Sequence, residues 1–105
     1  MHCVYFIRCG NKETDPVKIG RTSNLDLRLK ELQVGNPYTL KLLFKLNCES
    51  SEQAKALERF LHKQMHRGYH LRGEWFKLNK SFSIQGLLKK FNSSHSSLFN
   101  TSVEK

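Results

Sequence analysis

The alternation of apolar and polar residues predicts two short strands at the start of the chain. The run CVYFIR (Cys3–Arg8) is rich in β-branched and aromatic residues, and VKIGR (Val17–Arg21) is a second run of strand length. The polar segment between them contains Gly and Pro and is typical of a hairpin connection, so the two strands should be antiparallel neighbours. A third strand is predicted over Leu40–Asn47 and a short edge strand over Glu74–Leu78.

The first predicted helix follows the glycine turn of the second strand. Ser23 with Asp26 three residues later is a capping-box signal, and the helix is expected to extend to about Val34. Its apolar positions lie on one narrow stripe and are Leu25, Leu29 and Leu32. Arg28 borders this stripe, so its guanidinium should emerge between core and solvent, where it offers bidentate donors for phosphate. The alternative is a snorkelling arginine paired with a carboxylate.

Two further helices complete the predicted fold. The second begins at a capping-box signal, Ser50 with Gln53, and ends at about His66. Its apolar positions are Ala54, Leu57, Leu61 and Met65. The third is an amphipathic helix over Ser81–Phe91 that Gly86 weakens. The order β-β-α-β-α-(β)-α predicts a small α/β fold, in which about three helices cover a mixed or antiparallel sheet of about three to four strands.

Length and composition limit the number of domains. The 105 residues fit one domain, which we assign to residues 1–91, while the Ser/Asn-rich segment 92–105 is predicted to be a flexible tail.

No apolar run approaches the roughly 18 residues that cross a bilayer, and the N-terminal residues lack the apolar stretch of a signal peptide. We therefore expect a soluble intracellular protein, in the cytoplasm of a bacterial host or in the nucleus if its source is eukaryotic or viral.

The net charge favours an anionic partner. Formal net charge is +9, from 18 Lys and Arg against 9 Asp and Glu, and such a basic domain is typical of nucleic-acid binders. A protein-interaction or membrane-surface role for the third helix, with Lys89 and Lys90, is the alternative. Its basic face is too sparse for stable anchoring, so we expect DNA and no membrane as the partner.

A carboxylate on the second helix is the candidate metal ligand. Glu58 borders the apolar stripe, and an ionised side chain there is costly unless it is paired or binds a cation. Mg²⁺ would suit, because it commonly takes one or two carboxylates and keeps several waters. The spacing of Glu58, His62 and His66 suggests zinc as an alternative, but a fourth ligand is missing.

The three cysteines, which form no CxxC pair and are predicted to be ordinary buried thiols, are Cys3, Cys9 and Cys48.

Two aromatic residues have ambiguous roles. Tyr5 is either a half-buried strand tyrosine whose hydroxyl reaches a partner, or a general base beside the cations of the second strand and first helix. Trp75 either closes the core or stacks on a base, as Tyr69 would, whereas Phe76 is predicted to be a core residue. Glu74 is either a second carboxylate at the site or a surface ion-pair partner.

These residues resemble the GIY-YIG nuclease superfamily, particularly a short phage-associated branch often described simply as a DNA-binding domain. CVY (Cys3–Tyr5) and KIG (Lys18–Gly20) resemble its two strand motifs, and Arg28 keeps the family spacing of eight residues from the glycine. The segment AKALERFLH resembles the helix that carries the metal-binding glutamate, at Glu58, and a later GEWF matches the phage branch. The resemblance covers about residues 4–78.

The resemblance implies a DNA endonuclease that hydrolyses phosphodiester bonds with a single Mg²⁺ or Mn²⁺ ion at Glu58. Lys18 replaces the family's second tyrosine, and lysine is a good phosphate ligand but a different base. The alternative is therefore a non-catalytic DNA-binding module that retains the scaffold. The candidate catalytic residues are Tyr5, Lys18, Arg21, Arg28, Glu58 and His62. The candidate DNA-binding residues are Lys18, Arg21, Lys30, Arg59, Lys63, Arg67 and Trp75.

Overall fold

One sheet and three helices form the regular structure of the computed structural model within its described residues. Those residues are 2–12, 15–66, 70–72, 75–78, 83–95 and 102–104. The strands are β1 (His2–Cys9), β2 (Val17–Thr22), β3 (Leu40–Cys48), β4 (His70–Arg72), β5 (Trp75–Phe76) and β6 (Ser102–Glu104). The helices are α1 (Leu25–Gln33), α2 (Ser51–His66) and α3 (Ile84–His95).

The sheet has the strand order β4-β5-β2-β1-β3-β6, and every neighbouring pair is antiparallel. Its central four strands are β5, β2, β1 and β3, and the three-residue strands β4 and β6 extend it at the two edges. The predicted small α/β fold is confirmed, as is the antiparallel pairing of the first two strands.

Strand alternation gives the sheet two different faces. Val4 and Phe6 of β1 are fully buried and pack in one apolar cluster with residues of α2, so we call this side the α2 face. Tyr5 lies between them and therefore points to the opposite side. We call that side the α1 face, because Arg28 of α1 contacts Tyr5 there. Candidate functional residues lie on both faces.

The hydrophobic core lies between the α2 face and the two longer helices. Its buried members from α2 and α3 are Ala54, Leu57, Leu61, Met65, Ile84, Leu88 and Phe91. The predicted stripe of α2 is thus confirmed, and burial of each such leucine stabilises the fold by about 1.5–3 kcal/mol. Phe76 of β5 is also buried in this cluster, as predicted. Edge-to-face aromatic pairs, Phe6 with Phe44 and Phe60 with Phe91, lie at its margins.

Side-chain caps define where α1 and α2 begin. The prediction that Ser23 caps α1 is wrong: Asn24 is the N-cap, with extended backbone, and its Oδ1 accepts a hydrogen bond from the Leu27 N–H at 3.1 Å. Thr22 Oγ1 accepts from the Asn24 N–H and holds this residue in place. In α2 the predicted signal is confirmed, because Ser50 Oγ accepts from the Gln53 N–H at 3.1 Å.

The pairing of β1 with β3 contains one irregularity. Phe6 pairs with Phe44, but Ile7 pairs with Leu42, so Leu43 is an extra residue in β3. Such a bulge changes which residues of a strand share a face. Before Leu43 the even-numbered residues of β3 lie on the α1 face, as Leu42 does opposite Ile7. After Leu43 the odd-numbered residues lie there, as Lys45 does opposite Tyr5.

Helix α3 starts later and ends later than predicted. Ser83 Oγ accepts a hydrogen bond from the Gly86 N–H at 3.1 Å, and the helix continues to His95, while residues 81–82 lie outside the described part of the chain. Its apolar side chains pack in the core, which accounts for its amphipathic pattern without a membrane or a protein partner. Among the described residues, no helix is long and apolar enough to cross a membrane.

The segment expected to be a flexible tail contributes to two elements. The last turn of α3 includes residues 92–95, and Ser102–Glu104 forms β6 on the edge of β3. A Ser/Asn-rich composition predicts little helix or strand by itself. The open edge of β3 overrides this preference, because it supplies backbone hydrogen-bond partners to whichever segment reaches it.

The three cysteines are free thiols. Cys3 and Cys48 are buried, as predicted, and Cys9 is half-buried. Burial raises the pKa of the Cys48 thiol to about 11, so this thiol is neutral and unreactive at physiological pH.

The exposed Gly86 gives a direct test of the α3 assignment. A Cβ at this position would meet only Ser83, at ordinary contact distances. Gly86→Ala should therefore stabilise the protein by up to about 1 kcal/mol, because alanine loses less backbone entropy in a helix. Urea unfolding monitored by circular dichroism measures this change. A destabilised Gly86→Ala variant would contradict the helical assignment of this segment.

Candidate nucleic-acid interface

The Tyr5 hydroxyl is the central polar group of the α1 face. The Tyr5 side chain is 1% exposed, and its oxygen accepts a hydrogen bond from Arg28 Nε–H at 3.4 Å. Arg28 is half-buried, and the predicted apolar stripe beside it, Leu25, Leu29 and Leu32, is only half-buried too, since α1 has no buried residue. Its Nη1 also lies 4.0 Å from Glu31, a solvent-exposed pair of the kind that contributes little. The guanidinium is thus anchored through Nε to a buried tyrosine.

Gly20 allows the Tyr5 ring to lie against the backbone of β2. The two residues are cross-strand partners, and an added Cβ on Gly20 would approach Tyr5 Cζ to 2.6 Å. Real side chains do not approach so closely, so this position excludes every residue but glycine unless Tyr5 moves. The glycine of the KIG motif therefore sets the position of the tyrosine hydroxyl.

Two lysines flank Tyr5 on the α1 face. Lys18 of β2 pairs with Trp75 of β5, and its Nζ lies 5.4 Å from the centre of the Trp75 ring, a cation–π contact. Lys45 of β3 is the cross-strand partner of Tyr5, so its side chain leaves the sheet on the same face. Sequence analysis missed Lys45, because the pairing that places it beside Tyr5 joins two distant segments of the chain and no local spacing identifies it.

A second charged pair lies on the α2 face. Arg21 is the cross-strand partner of Val4, so its side chain points toward α2, where its Nε lies 3.3 Å from Glu58 Oε1. The Glu58 side chain is 19% exposed and that of Arg21 is 39% exposed. Four of the six predicted catalytic residues thus form two pairs, Tyr5 with Arg28 on the α1 face and Arg21 with Glu58 on the α2 face. The two pairs are neighbours along β2, because Gly20, the cross-strand partner of Tyr5, directly precedes Arg21.

His62 is tied to the backbone of β2. Its Nε2 lies 2.9 Å from the Ile19 carbonyl oxygen, and because a carbonyl only accepts hydrogen bonds, Nε2 carries the proton. The ring also packs against Phe76, with centroids 5.2 Å apart. His62 thereby fixes α2 to β2 at the residue before Gly20.

Glu58 fits a hydrated divalent ion better than a closed metal site. Among the side chains that the structure describes, no three His, Cys, Asp or Glu residues are grouped so that they could hold a metal. The zinc alternative stays a prediction, because the side chain of its third residue, His66, lies outside that set. Mg²⁺ and its analogues need fewer protein ligands, since they keep several waters. Glu58 is partly exposed, so it can offer one carboxylate, in competition with its ion pair to Arg21.

The remaining candidate residues are spread over other surfaces. Lys30 is exposed in the last turn of α1. Arg59 and Lys63 are exposed on the side of α2 that points away from the sheet, so they do not lie beside Tyr5. Arg67, Tyr69 and Glu74 lie outside the described residues. The α1 face therefore contains the cluster around Tyr5, and α2 carries a separate basic surface.

One known family matches this chain over most of its length. The T5orf172 domain matches residues 2–103, nearly the whole chain. The chain belongs to the T5orf172 domain family. T5orf172 domains are associated with phage proteins related to GIY-YIG nucleases, and the match indicates a nuclease or DNA-binding module of phage type. No curated protein and no solved structure matches the chain significantly.

Membership in the T5orf172 family supports the coarse part of the sequence prediction. The phage association and the nuclease or DNA-binding class agree with the resemblance that the two strand motifs indicated. The match extends past residue 91 to residue 103, in line with the placement of β6 on the sheet. Catalysis, the metal ion and the roles of single residues remain predictions.

Proposed function

We propose that this T5orf172 domain binds DNA on its α1 face and hydrolyses a phosphodiester bond with the help of a divalent ion at Glu58. Glu58 lies on the opposite, α2 face, so the scissile phosphate would lie where the adjacent residues Gly20 and Arg21 of β2 bring the Tyr5–Arg28 pair and the Arg21–Glu58 pair together.

The observation that carries the proposal is the hydrogen bond from Arg28 to the buried Tyr5 hydroxyl. The Tyr5 ring fits in this place because Gly20 has no side chain. Lys18 and Lys45 leave the sheet on the same face. Together these groups form a positively charged surface around one ordered hydroxyl.

The side chains have distinct roles in this proposal. Arg28 would stabilise negative charge on the phosphate. Its guanidinium is oriented in advance by the hydrogen bond to Tyr5, so it need not reorient when the charge develops. The Tyr5 oxygen would orient the attacking water. Lys18 would bind a neighbouring phosphate, a role in which lysine serves better than the tyrosine it replaces. His62 would position α2, and with it Glu58, relative to β2.

The Glu58 carboxylate would break its ion pair with Arg21 and would then hold the divalent ion. A bound Mg²⁺ or Mn²⁺ ion would supply neutralisation of the charge on the phosphate. Arg21 lies 3.3 Å from Glu58, so it would pair with the same phosphate once the carboxylate has changed partners. Nicking of supercoiled plasmid in the presence of either ion tests this part of the proposal.

A non-catalytic DNA-binding module is the second candidate. It is favoured by the contacts of two key residues, since Lys18 lies over Trp75 and Glu58 is paired with Arg21. In this case Glu58 would orient Arg21 toward phosphate and would need no metal. Retained DNA binding without cleavage under any divalent ion would select this candidate over the nuclease.

The position of the DNA can be tested by two matched pairs of substitutions. We expect Lys18→Ala with Lys45→Ala to lower duplex DNA affinity by about tenfold or more, and to reduce the dependence of log K on log salt by about two, because two phosphate contacts are lost. Fluorescence anisotropy at several salt concentrations measures both quantities.

Arg59→Ala with Lys63→Ala is the matched control for that experiment. It removes the same charge from the outer side of α2, where both residues are exposed. We expect a smaller loss of affinity, since these residues would meet phosphate only in DNA that also passes over α2. An equal or larger loss than for the α1-face pair would place the main DNA contact on α2 instead.

A further inference from the structure

The loop between α1 and β3 is held by one glutamine side chain. Gln33 Nε2–H donates to the carbonyl oxygens of Asn36, at 3.3 Å, and of Tyr38, at 2.9 Å. Gln33 Oε1 accepts from the Leu40 N–H at 3.1 Å, where β3 begins. A single side chain therefore fixes the loop at three points.

The same loop is also attached to the sheet. Asn36 Oδ1 accepts from the Tyr38 N–H at 2.9 Å, and the Asn36 side chain contacts Cys9 at the end of β1. The Gly10 N–H donates to the Thr39 carbonyl oxygen at 3.1 Å. The backbone on both sides of Tyr38 is thus ordered by hydrogen bonds.

This ordered loop presents apolar side chains to solvent. Tyr38 is 62% exposed and Val34 is 81% exposed, whereas large apolar residues gain stability only when they are buried. The fold therefore holds the Tyr38 backbone in place and leaves its ring outside the core. A residue whose backbone is already ordered loses less entropy when its ring binds a flat partner.

The charge around the loop favours a nucleic acid as that partner. The residues 28–45 include four basic side chains and one acidic side chain, Glu31. The basic residues are Arg28, Lys30, Lys41 and Lys45. Lys41 is the cross-strand partner of Arg8 and leaves the sheet on the α2 face, so the cations of α1 and of the α1 face are Arg28, Lys30 and Lys45. An exposed ring in such a basic segment suits a ligand that combines a flat apolar surface with negative charge, as an unpaired nucleotide does.

We propose that Tyr38 stacks on an unpaired base of a DNA strand whose backbone lies on the α1 face, so the preferred substrate contains a single-stranded region. This inference rests on the proposed DNA binding. Arg28 and Gln33 are separated along α1 by about 7.5 Å at 1.5 Å per residue, so the loop lies within the reach of a neighbouring nucleotide. A fully paired duplex hides its base faces and offers Tyr38 no stacking surface.

The test compares oligothymidine with a blunt duplex of the same length, using fluorescence anisotropy. Tyr38→Ala should weaken binding of oligothymidine by roughly 5- to 100-fold and leave duplex affinity almost unchanged, whereas Tyr38→Phe should bind both as the wild type does. The thermal midpoint of Tyr38→Ala should stay unchanged, because the ring is exposed. Photocrosslinking of bromodeoxyuridine-substituted oligonucleotide to Tyr38, located by mass spectrometry, gives a second readout.

Other outcomes would overturn the inference in distinguishable ways. Unchanged oligothymidine affinity in Tyr38→Ala would exclude stacking while leaving the proposed DNA binding intact. Equal losses for both DNA forms would assign Tyr38 to the phosphate backbone. Concentration-dependent dimers of the wild type that Tyr38→Ala abolishes, with unchanged DNA affinity, would identify the ring as a self-association surface. A wild-type protein that binds neither DNA form would overturn both proposals.

Discussion

Replacement of Glu58 by glutamine is expected to lower metal-dependent nicking of supercoiled DNA by at least about 100-fold while DNA binding is retained. Glutamine has the size of glutamate, and its Oε1 can still accept a hydrogen bond from Arg21, which lies 3.3 Å from the carboxylate. It lacks the negative charge that holds a divalent ion. A carboxylate repels phosphate, so replacing it by a neutral amide should leave DNA affinity equal or tighter when it is measured by fluorescence anisotropy.

Glu52→Gln is the control for this experiment. Glu52 lies in the first turn of the same helix and is exposed, so the substitution makes the same change in net charge away from Arg21. Its nicking rate should equal that of the wild type. Wild-type rates in Glu58→Gln would remove Glu58 from the chemistry. A wild-type protein that binds DNA but never nicks it would show that the non-catalytic alternative is correct.

Gly20→Ala is expected to destabilise the protein by about 1–3 kcal/mol and to reduce DNA nicking, because the added methyl group displaces the Tyr5 ring. The new Cβ would lie 2.6 Å from Tyr5 Cζ, and the ring is fully enclosed, so it has no space to retreat without a shift of the strand. A displaced hydroxyl no longer accepts from Arg28, whose guanidinium then loses its anchor. Urea unfolding and plasmid nicking measure the two effects.

A double-mutant cycle with Tyr5→Leu isolates this contact. In the Tyr5→Leu background the ring is absent, so Gly20→Ala should cost clearly less than it does in the wild type. Gly86→Ala makes the same chemical change in α3 and should have the opposite sign. Equal costs of Gly20→Ala with and without the tyrosine ring would show that the glycine serves the strand backbone rather than Tyr5.

Elements with a strong local pattern could be predicted from the sequence. The stripe of α2 was predicted because four apolar residues recur at helical spacing, and all four are buried. Ser50 was recognisable as its cap because Gln53 follows at the required distance. Arg28 was placed beside the leucine stripe of α1, and it is half-buried as that position predicts, although none of these leucines is fully buried.

Features that depend on contacts between distant segments could not be predicted. Ser23 and Asn24 are both good caps, and the choice of Asn24 depends on the turn that Thr22 holds. The partner of Glu58 is Arg21, a residue of another element that no local spacing identifies. The Ser/Asn-rich C-terminal segment has little preference of its own, and β6 forms where this segment pairs with the edge of β3.

The bulge in β3 has a consequence for how this domain tolerates changes in chain length. Leu43 is unpaired, so its deletion would leave the pairs Phe6 with Phe44 and Ile7 with Leu42 in register. A deletion or insertion between Phe44 and Cys48 would instead invert the remaining alternation and exchange core and surface side chains. One residue of β3 is thus dispensable for pairing, while the length of the segment after it is fixed by the position of Lys45 beside Tyr5.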